Sequence, residues 1–318
     1  MSHPIVALQM EPLSQIIVET NTTFALGLEA QKRGYKLFTY TPDDLSSTPN
    51  GIVARGRWVT FQDQSSDYFT QSDEALLNLE EAQYVLMRQD PPFNMPYITA
   101  THFLELLPKT TRVINNPAGV RNAPEKLLIT HFPTLIPPTL ISWDRALINE
   151  FIHVHGSVIL KPLFEFGGNG VLLFNPGDQN LPEILNIYRT LYNAPPIFQK
   201  FLPEVHQGDK RIILIDGKPL GIFKRIPPKG QVRSNMRQGG RPEVCEFTPR
   251  DLEICAQIGP ILKEQGLYLA GIDIIGDYLI EINVTSPTGL RAINRLYNKN
   301  LTQDFWDGLT SDISSFNN

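Results

Sequence analysis

Short apolar blocks separated by polar turns mark the first third of the chain. Residues 4–9 (PIVALQ) read as a buried strand. Asn21-Thr22-Thr23 is an N-cap signal ahead of Phe24, Ala25, Leu28 and Ala30, and Gly34 stops the helix. Residues 36–41 (KLFTYT) alternate as a strand. Strand, helix and strand in this order open a parallel α/β sheet. Residues 42–80 are polar and read as an irregular peripheral excursion. A strand at 84–88, a helix around 97–107 and a strand at 112–115 complete a first domain, residues 1–124.

The pattern changes after Pro124. Strands at 158–161 and 171–174 flank a glycine-rich segment, and a helix at 181–192 precedes a strand at 197–201. Residues 211–215 and 220–224 flank Asp216-Gly217, a strong hairpin signal. A stretch rich in Gly, Pro and Arg follows at 226–243, then a helix over 249–265. A last hairpin, 267–275 with 279–284, turns at Gly276-Asp277. Antiparallel hairpins with helices predict α+β for residues 125–318, so the chain reads as α/β first and α+β second. No internal repeat is visible.

Composition narrows the classes. The 318 residues carry 28 basic and 33 acidic side chains, a net charge of -5. That balance offers no footprint for a nucleic-acid backbone or an anionic membrane. Cys245 and Cys255 are the two cysteines, read as reduced and mostly buried thiols. No basic stretch followed by a long apolar run opens the chain, and no apolar run is long enough to span a bilayer. A cytoplasmic protein is expected.

Candidate chemistry concentrates near the C-terminus. In Gly271-Ile-Asp273-Ile-Ile-Gly276-Asp277-Tyr-Leu-Ile-Glu281-Ile-Asn283, Glu281 and Asn283 lie two apart and share a strand face. A two-residue turn would pair position 273 with 280 and turn Asp273 away. A three-residue connection would pair 273 with 281 and gather three oxygen side chains, a set suited to Mg²⁺. We expect the odd connection; the competing reading is a solvated polar face on an edge strand. Lys161 closes an apolar strand and Lys126 opens a helix; either can face a phosphate chain, although surface lysines are the commoner case. Phe166-Gly167-Gly168-Asn169-Gly170 can wrap phosphate with backbone N–H groups or be an ordinary turn. Residues 226–243, with Lys229, Arg233, Arg237 and Arg241 among glycines, fit either a basic lid or a plain surface loop. No H-E-x-x-H, G-x-S-x-G, C-x-x-C or G-x-G-x-x-G occurs, which argues against covalent catalysis and a dinucleotide fold.

Taken together, several blocks resemble the ATP-grasp superfamily and, within it, the prokaryotic glutathione synthetase family. They are Met87-Arg88-Gln-Asp90-Pro-Pro-Phe93, Asn122-Ala-Pro-Glu125-Lys126-Leu127, Ile159-Leu-Lys161-Pro-Leu163, Gly208-Asp209-Lys-Arg211, Arg225-Ile-Pro227, Arg233-Ser-Asn235 with Gly239-Gly240-Arg241, and Glu281-Ile-Asn283-Val-Thr-Ser286-Pro-Thr288. They stand in the family's order across about residues 5–310. The last block is the most specific.

The resemblance implies an N-terminal parallel α/β domain and a two-lobed ATP-grasp domain, split at about 125–200 and 201–318. It implies joining of γ-glutamylcysteine and glycine through an acyl phosphate, with ATP and Mg²⁺ (or Mn²⁺) as cofactors. A homotetramer is implied, with a dimer as the alternative. Lys126, Lys161, Gly167 and Gly168 would hold the ATP phosphates. Gln199, Lys200, Phe201 and Leu202 would frame the adenine, and Asp209 and Arg211 would line the nucleotide cleft. Asp273, Glu281 and Asn283 would carry the metal. Arg88, Asp90, Arg225, Arg233, Asn235, Gly239, Gly240, Ser286 and Thr288 would hold the peptide, with Arg211, Arg225 and Arg233 nearest the chemistry. Two departures stand out. Phe164-Glu165-Phe166 replaces an early glycine of the phosphate loop, and Met10-Glu11-Pro12 stands where the family often has Met-Asp-Pro. Another ATP-grasp carboxylate–amine ligase, or a non-catalytic nucleotide-binding homologue, are the alternative readings.

Overall fold

The structure is a computed structural model describing residues 3–230, 234–236 and 239–316, with side chains through residue 311. Three sheets organise it. The first begins with β1 (Ile5–Gln9), α1 (Thr22–Lys32) and β2 (Lys36–Tyr40), as the apolar blocks predict. The Asn21 side chain caps α1 by accepting from the Phe24 N–H at 2.7 Å. Residues 42–80 are not irregular. They contain β3 (Leu45–Thr48), β4 (Gly51–Phe61) and β5 (Phe69–Asn78), all antiparallel, with β4 paired to β2. Ile52 and Ala54 are buried while Arg55 and Glu74 face solvent, so a charged outer face masks the strand pattern.

β6 (Tyr84–Met87), α2 (Met95–Glu105), β7 (Arg112–Ile114) and the short helices α3 (Pro117–Asn122) and α4 (Glu125–Leu128) follow. The sheet order is β3-β4-β2-β1-β6-β7, with β2, β1, β6 and β7 mutually parallel.

β8 (Thr139–Ile141), α5 (Arg145–His155), β9 (Val158–Lys161), β10 (Leu172–Phe174), α6 (Leu181–Tyr192) and β11 (Ile197–Lys200) build the second sheet. Its order is β10-β9-β11-β8, all antiparallel, over a small apolar core beneath α5 and α6. The third sheet has the order β14-β13-β12-β15-β16, formed by β12 (Asp209–Ile215), β13 (Lys218–Ile226), β14 (Arg241–Glu243), β15 (Leu269–Ile275) and β16 (Tyr278–Asn283). Asp216 and Gly217 join β12 to β13 with φ of 49° and 74°, the positive pair a two-residue hairpin needs. α7 (Pro249–Glu264), α8 (Leu290–Tyr297) and α9 (Leu301–Phe316) complete the chain. The two halves are thus α/β and α+β as expected, and they share apolar cores: Ala7, Val85 and Val120 pack in one cluster with Ile212, Ile254 and Ile272.

Asn115 and Trp306 are among the side chains that fasten the first half of the chain to the second. The Asn115 side chain donates to the Leu269 and Val284 carbonyls at 2.8 and 2.7 Å and accepts from the Leu269 N–H at 2.8 Å. The buried Trp306 indole of α9 donates to the Leu26 carbonyl of α1 at 2.9 Å.

Candidate active site

Register on the third sheet aligns a row of charges. Asp209 on β12 stands opposite Arg225 on β13, and Arg211 on β12 opposite Asp273 on β15. Asp273 in turn stands opposite Glu281 on β16, and Gly271 opposite Asn283. Residues two apart share a face, so these side chains gather on one side of the sheet. The expected pairing of 273 with 281 is present, but its cause differs. Gly276-Asp277 is a tight two-residue turn, with Ile275 opposite Tyr278 and Ile274 opposite Leu279. A β-bulge at Ile280 supplies the extra residue. Ile280 and Glu281 therefore both line the cavity, while Leu279 and Ile282 are buried behind them.

Asp209, Arg211, Arg225 and Asp273 are deeply buried and paired. Arg211 forks onto Asp273, with Nη2 2.8 Å from Oδ2, and its Nη1 donates to the Thr288 carbonyl at 3.1 Å. Arg225 forks onto Asp209 and reaches Asp273 Oδ2 at 2.9 Å. Burial pushes the Asp273 carboxyl up, but Arg211 and Arg225 outweigh it and hold the group well below the usual carboxylate range. Asn283 turns its amide to Asp273 Oδ2 at 3.4 Å.

Across the cleft, Lys126 pairs with Glu281 at 3.0 Å and donates to the Glu165 carbonyl. Lys161 donates to Gln199 Oε1 at 2.8 Å, and Gln199 donates on to Thr139. Burial above all, with Lys126 adding to it, lowers the Lys161 ammonium to about 8 against the opposing pull of Glu281, Asp273 and Asp209. Lys126, Lys161, Glu165, Gly167, Gly168, Gln199, Lys200, Phe201, Leu202, Asp209, Arg225, Asn235, Asp273 and Glu281 line one cavity between the second and third sheets. Ile159, Val171, Ile275 and Ile280 give it apolar walls that motif reading missed, since nothing marks such residues apart from core.

A second cavity adjoins the first and shares Phe166, Gly167, Arg225 and Asn235 with it. Arg88, Asp90, Arg211, Ser286 and Thr288 line this one. Arg88 is fixed by the Thr23 hydroxyl at 3.2 Å and the Pro287 carbonyl at 2.8 Å, and the Ser286 hydroxyl donates to Asp90. Gly239 and Gly240 sit behind Asn235, their N–H groups bonded to the Met236 and Asn235 carbonyls. Lys229 and Arg241 are exposed, whereas Ser234 is buried against the first cavity. Arg233 and Arg237 lie outside the described residues.

Glu125 was read only as part of a family block, and the structure gives it a distinct role. Its carboxylate accepts from the Val284 and Thr285 N–H groups at 3.2 and 3.4 Å and the Thr285 hydroxyl at 2.7 Å. It thereby ties the Lys126 helix to the segment after Asn283. Burial, then Glu281, push this carboxyl up to about 7, against the opposing pull of Lys126 and Thr285. The folded state therefore keeps a proton that the unfolded chain loses near pH 4, so stability falls as pH rises towards 7. Glu125→Gln is expected to remove on the order of 2 kcal/mol of that dependence. Urea unfolding of both proteins at pH 5 and pH 8 checks this; equal slopes against pH would refute it.

Comparison with known proteins agrees with the geometry. Residues 5–121 match the family model of the prokaryotic glutathione synthetase N-terminal domain, and residues 125–298 that of its ATP-grasp domain. A glutathione synthetase of Brucella melitensis is 49% identical over 304 residues, covering 96% of this chain and 97% of that protein. One from Rhodopseudomonas palustris is 47% identical, with 95% and 96% covered. Among solved structures, a D-cycloserine synthetase superposes with a TM-score of 0.68 at 14% identity, covering 97% and 99% of the two chains. A D-alanyl-alanine synthetase A of Vibrio cholerae superposes at 0.59 with 15% identity and 94% of each chain. These two likenesses speak for the fold alone. The chain belongs to the prokaryotic glutathione synthetase family, and with it to the ATP-dependent carboxylate–amine ligases with an ATP-grasp fold.

Proposed function

We propose that this chain joins γ-glutamylcysteine to glycine by way of an acyl phosphate, with cleavage of ATP to ADP and phosphate. The observation that carries the reading is the buried charge row at the junction of two cavities. One cavity has the cations for a phosphate chain and apolar walls for a base, and the other has the arginines for a peptide. In this reading Lys126 and Lys161 hold the ATP phosphates, with Gly167 and Gly168 closing over them. Residues 199–202 frame the base against Ile159 and Ile280. The cysteinyl carboxylate lies at the junction and attacks the γ-phosphorus. Arg211 and Arg225 are fixed in advance by Asp273 and Asp209, so they offset the growing phosphoryl charge without rearranging. Glycine's amine then attacks the acyl phosphate, and no side-chain nucleophile is needed. Residues 226–243, including Arg233, exclude water while the acyl phosphate exists.

Asp273, Glu281 and Asn283 supply two carboxylates and an amide on one face, an all-oxygen set that fits a hard divalent cation such as Mg²⁺ or Mn²⁺. Bound there, the ion would neutralise phosphate charge. The chain is further proposed to divide into domains 1–124 and 125–318, with lobes 125–200 and 201–318, and to act as a cytoplasmic homotetramer. Among the described residues no helix is long and apolar enough to cross a membrane.

The decisive experiment supplies γ-glutamylcysteine, glycine, ATP and Mg²⁺ to the purified protein. ADP and glutathione should appear in equal amounts; ADP without glutathione, or no ADP, rejects the reading. A pH signature accompanies it. With an ammonium that titrates at about 8, Lys161 is charged below that pH and loses its proton above it. ATP affinity should therefore weaken about tenfold per unit above pH 8, whereas Lys161→Arg stays charged and flattens the profile. Calorimetric titrations from pH 6.5 to 9.5 measure this, and parallel profiles for the two proteins would contradict it.

A further inference from the structure

The glycine-rich loop between β9 and β10 is fastened at both ends, and its two anchors come from different parts of the chain. At the far end the buried Tyr188 hydroxyl of α6 donates to the Gly170 carbonyl. At the near end the partners belong to the first domain and its border. The Phe93 N–H donates to the Phe164 carbonyl at 3.3 Å, and Lys126 donates to the next carbonyl, that of Glu165. The Phe164 ring also stacks on Phe93, with centroids 6.2 Å apart and planes 26° from parallel. Phe93 in turn rests on the buried Tyr97 of α2, at 5.0 Å. The ring belongs to Phe164-Glu165-Phe166, the stretch that departs from the family's phosphate loop.

Each side of this contact borders a ligand cavity. Arg88, Asp90 and Pro91 line the second cavity, and Phe93 follows them on the same segment. Phe166 and Gly167, just beyond Phe164, line both cavities. Phe93 and Phe164 themselves are not among the residues that line either one. The pair is therefore a joint between two sites and not a wall of either. A ligand that holds residues 88–91 steadies Phe93, and Phe93 steadies the main chain that must close on a nucleotide. Ordering brought about by one ligand is not repeated for the second, which makes their binding cooperative.

We propose that the Phe93–Phe164 stack couples the two cavities, so that peptide and nucleotide each tighten the other's binding through the glycine-rich loop. The coupling rests on the γ-glutamylcysteine and ATP reading above. One aromatic pair limits its size to about two- to tenfold in a binding constant. Linkage requires the same factor whichever ligand binds first.

Calorimetric titrations measure that factor in wild type, Phe93→Ala, Phe164→Ala, the double variant and Phe164→Leu. Each protein is titrated with adenylyl imidodiphosphate and Mg²⁺, with and without saturating γ-glutamylcysteine. The reverse titration, peptide with and without nucleotide, closes the cycle. In wild type each ligand should tighten the other about fivefold, equally in both orders. Each alanine variant should reduce the factor below about twofold, with the affinity for either ligand alone within about threefold of wild type. The double variant should lose no more than the single ones, because one contact is removed twice. Phe164→Leu keeps an apolar contact and should retain part of the effect. The coupling is wrong if wild type shows none, if the alanine variants keep the wild-type factor, or if the double variant loses further. In those cases a protein that still makes glutathione keeps its ligase reading. If wild type binds no γ-glutamylcysteine, both fall together.

Discussion

Asp273→Asn is expected to lower kcat about a thousandfold while leaving a folded protein. The aspartate is 4% exposed and faces two guanidinium groups, so its charge is desolvated and its pairing is strong. The amide keeps the shape but removes the negative charge, and it replaces one accepting oxygen with an NH₂ donor that faces the guanidinium groups. Two consequences follow in opposite parts of the site. Arg211 and Arg225 lose the anchor that aims them, and the oxygen set shared with Glu281 and Asn283 loses its central charge. Removing one partner of a buried ion pair costs roughly 3–5 kcal/mol; the isosteric amide should bring this down to about 2–4 kcal/mol. The acid limb of the stability profile should change as well. A carboxyl held below its ordinary range contributes stability above the unfolded pKa, and that contribution disappears as pH falls through the depressed value. The variant should therefore lose stability less steeply below pH 4. Steady-state kinetics with urea unfolding at pH 3 and pH 7 measures both effects. A kcat within tenfold of wild type would remove Asp273 from the proposed machinery.

Arg225→Met should be more severe for folding and comparable for rate. Arg225 is bonded to both Asp209 and Asp273, and it lines both cavities. Its loss strands two buried carboxylates, with an expected cost of about 3–5 kcal/mol. The rate should fall by about 10²–10³, the range seen when a preorganised donor is taken from a developing anion. Arg225→Lys keeps the charge but not the planar fork, so it should recover stability better than rate. In the double variant with Asp273→Asn, the losses should sum to clearly less than their separate values, because one network is broken twice. Full additivity in kcat and in unfolding free energy would show that the two residues act independently.

The legible parts of this molecule were those written in local chemistry. Asp216-Gly217 announces its hairpin because few residues accept two positive φ angles in succession, and Asn21 announces its helix by the acceptor it offers. The pairing of Asp273 with Glu281 could be argued from parity alone. The bulge that produces it could not, since Ile280 looks like any strand residue and its placement depends on the neighbouring strands. The hairpins within 42–80 were missed because half their positions face water and carry charge. Contacts made by backbone atoms were also hidden. Lys126 is steered by the carbonyl of Glu165, so the acidic side chain in the phosphate loop said nothing about that role. Gln199 is expected beside a base, and its side chain also holds Lys161, a contact that the sequence does not show. Arg211 and Arg225 could be named as charges, but their partners become visible only with the strand register.

Asn115 has a bearing on how such a chain can be taken apart. One amide from the first sheet satisfies three main-chain groups on the strand and segment that flank Asp273 and Asn283. A cut between residues 124 and 125 would leave the Leu269 N–H and the Leu269 and Val284 carbonyls without that partner, at about 1–3 kcal/mol for each group that stays buried. It would also bare the apolar cluster that both halves share. The two stretches are therefore modules of sequence but not of folding. A chimaera that exchanges the front half for a foreign one must import an amide at the same place, or it inherits a ligand-bearing hairpin with nothing behind it.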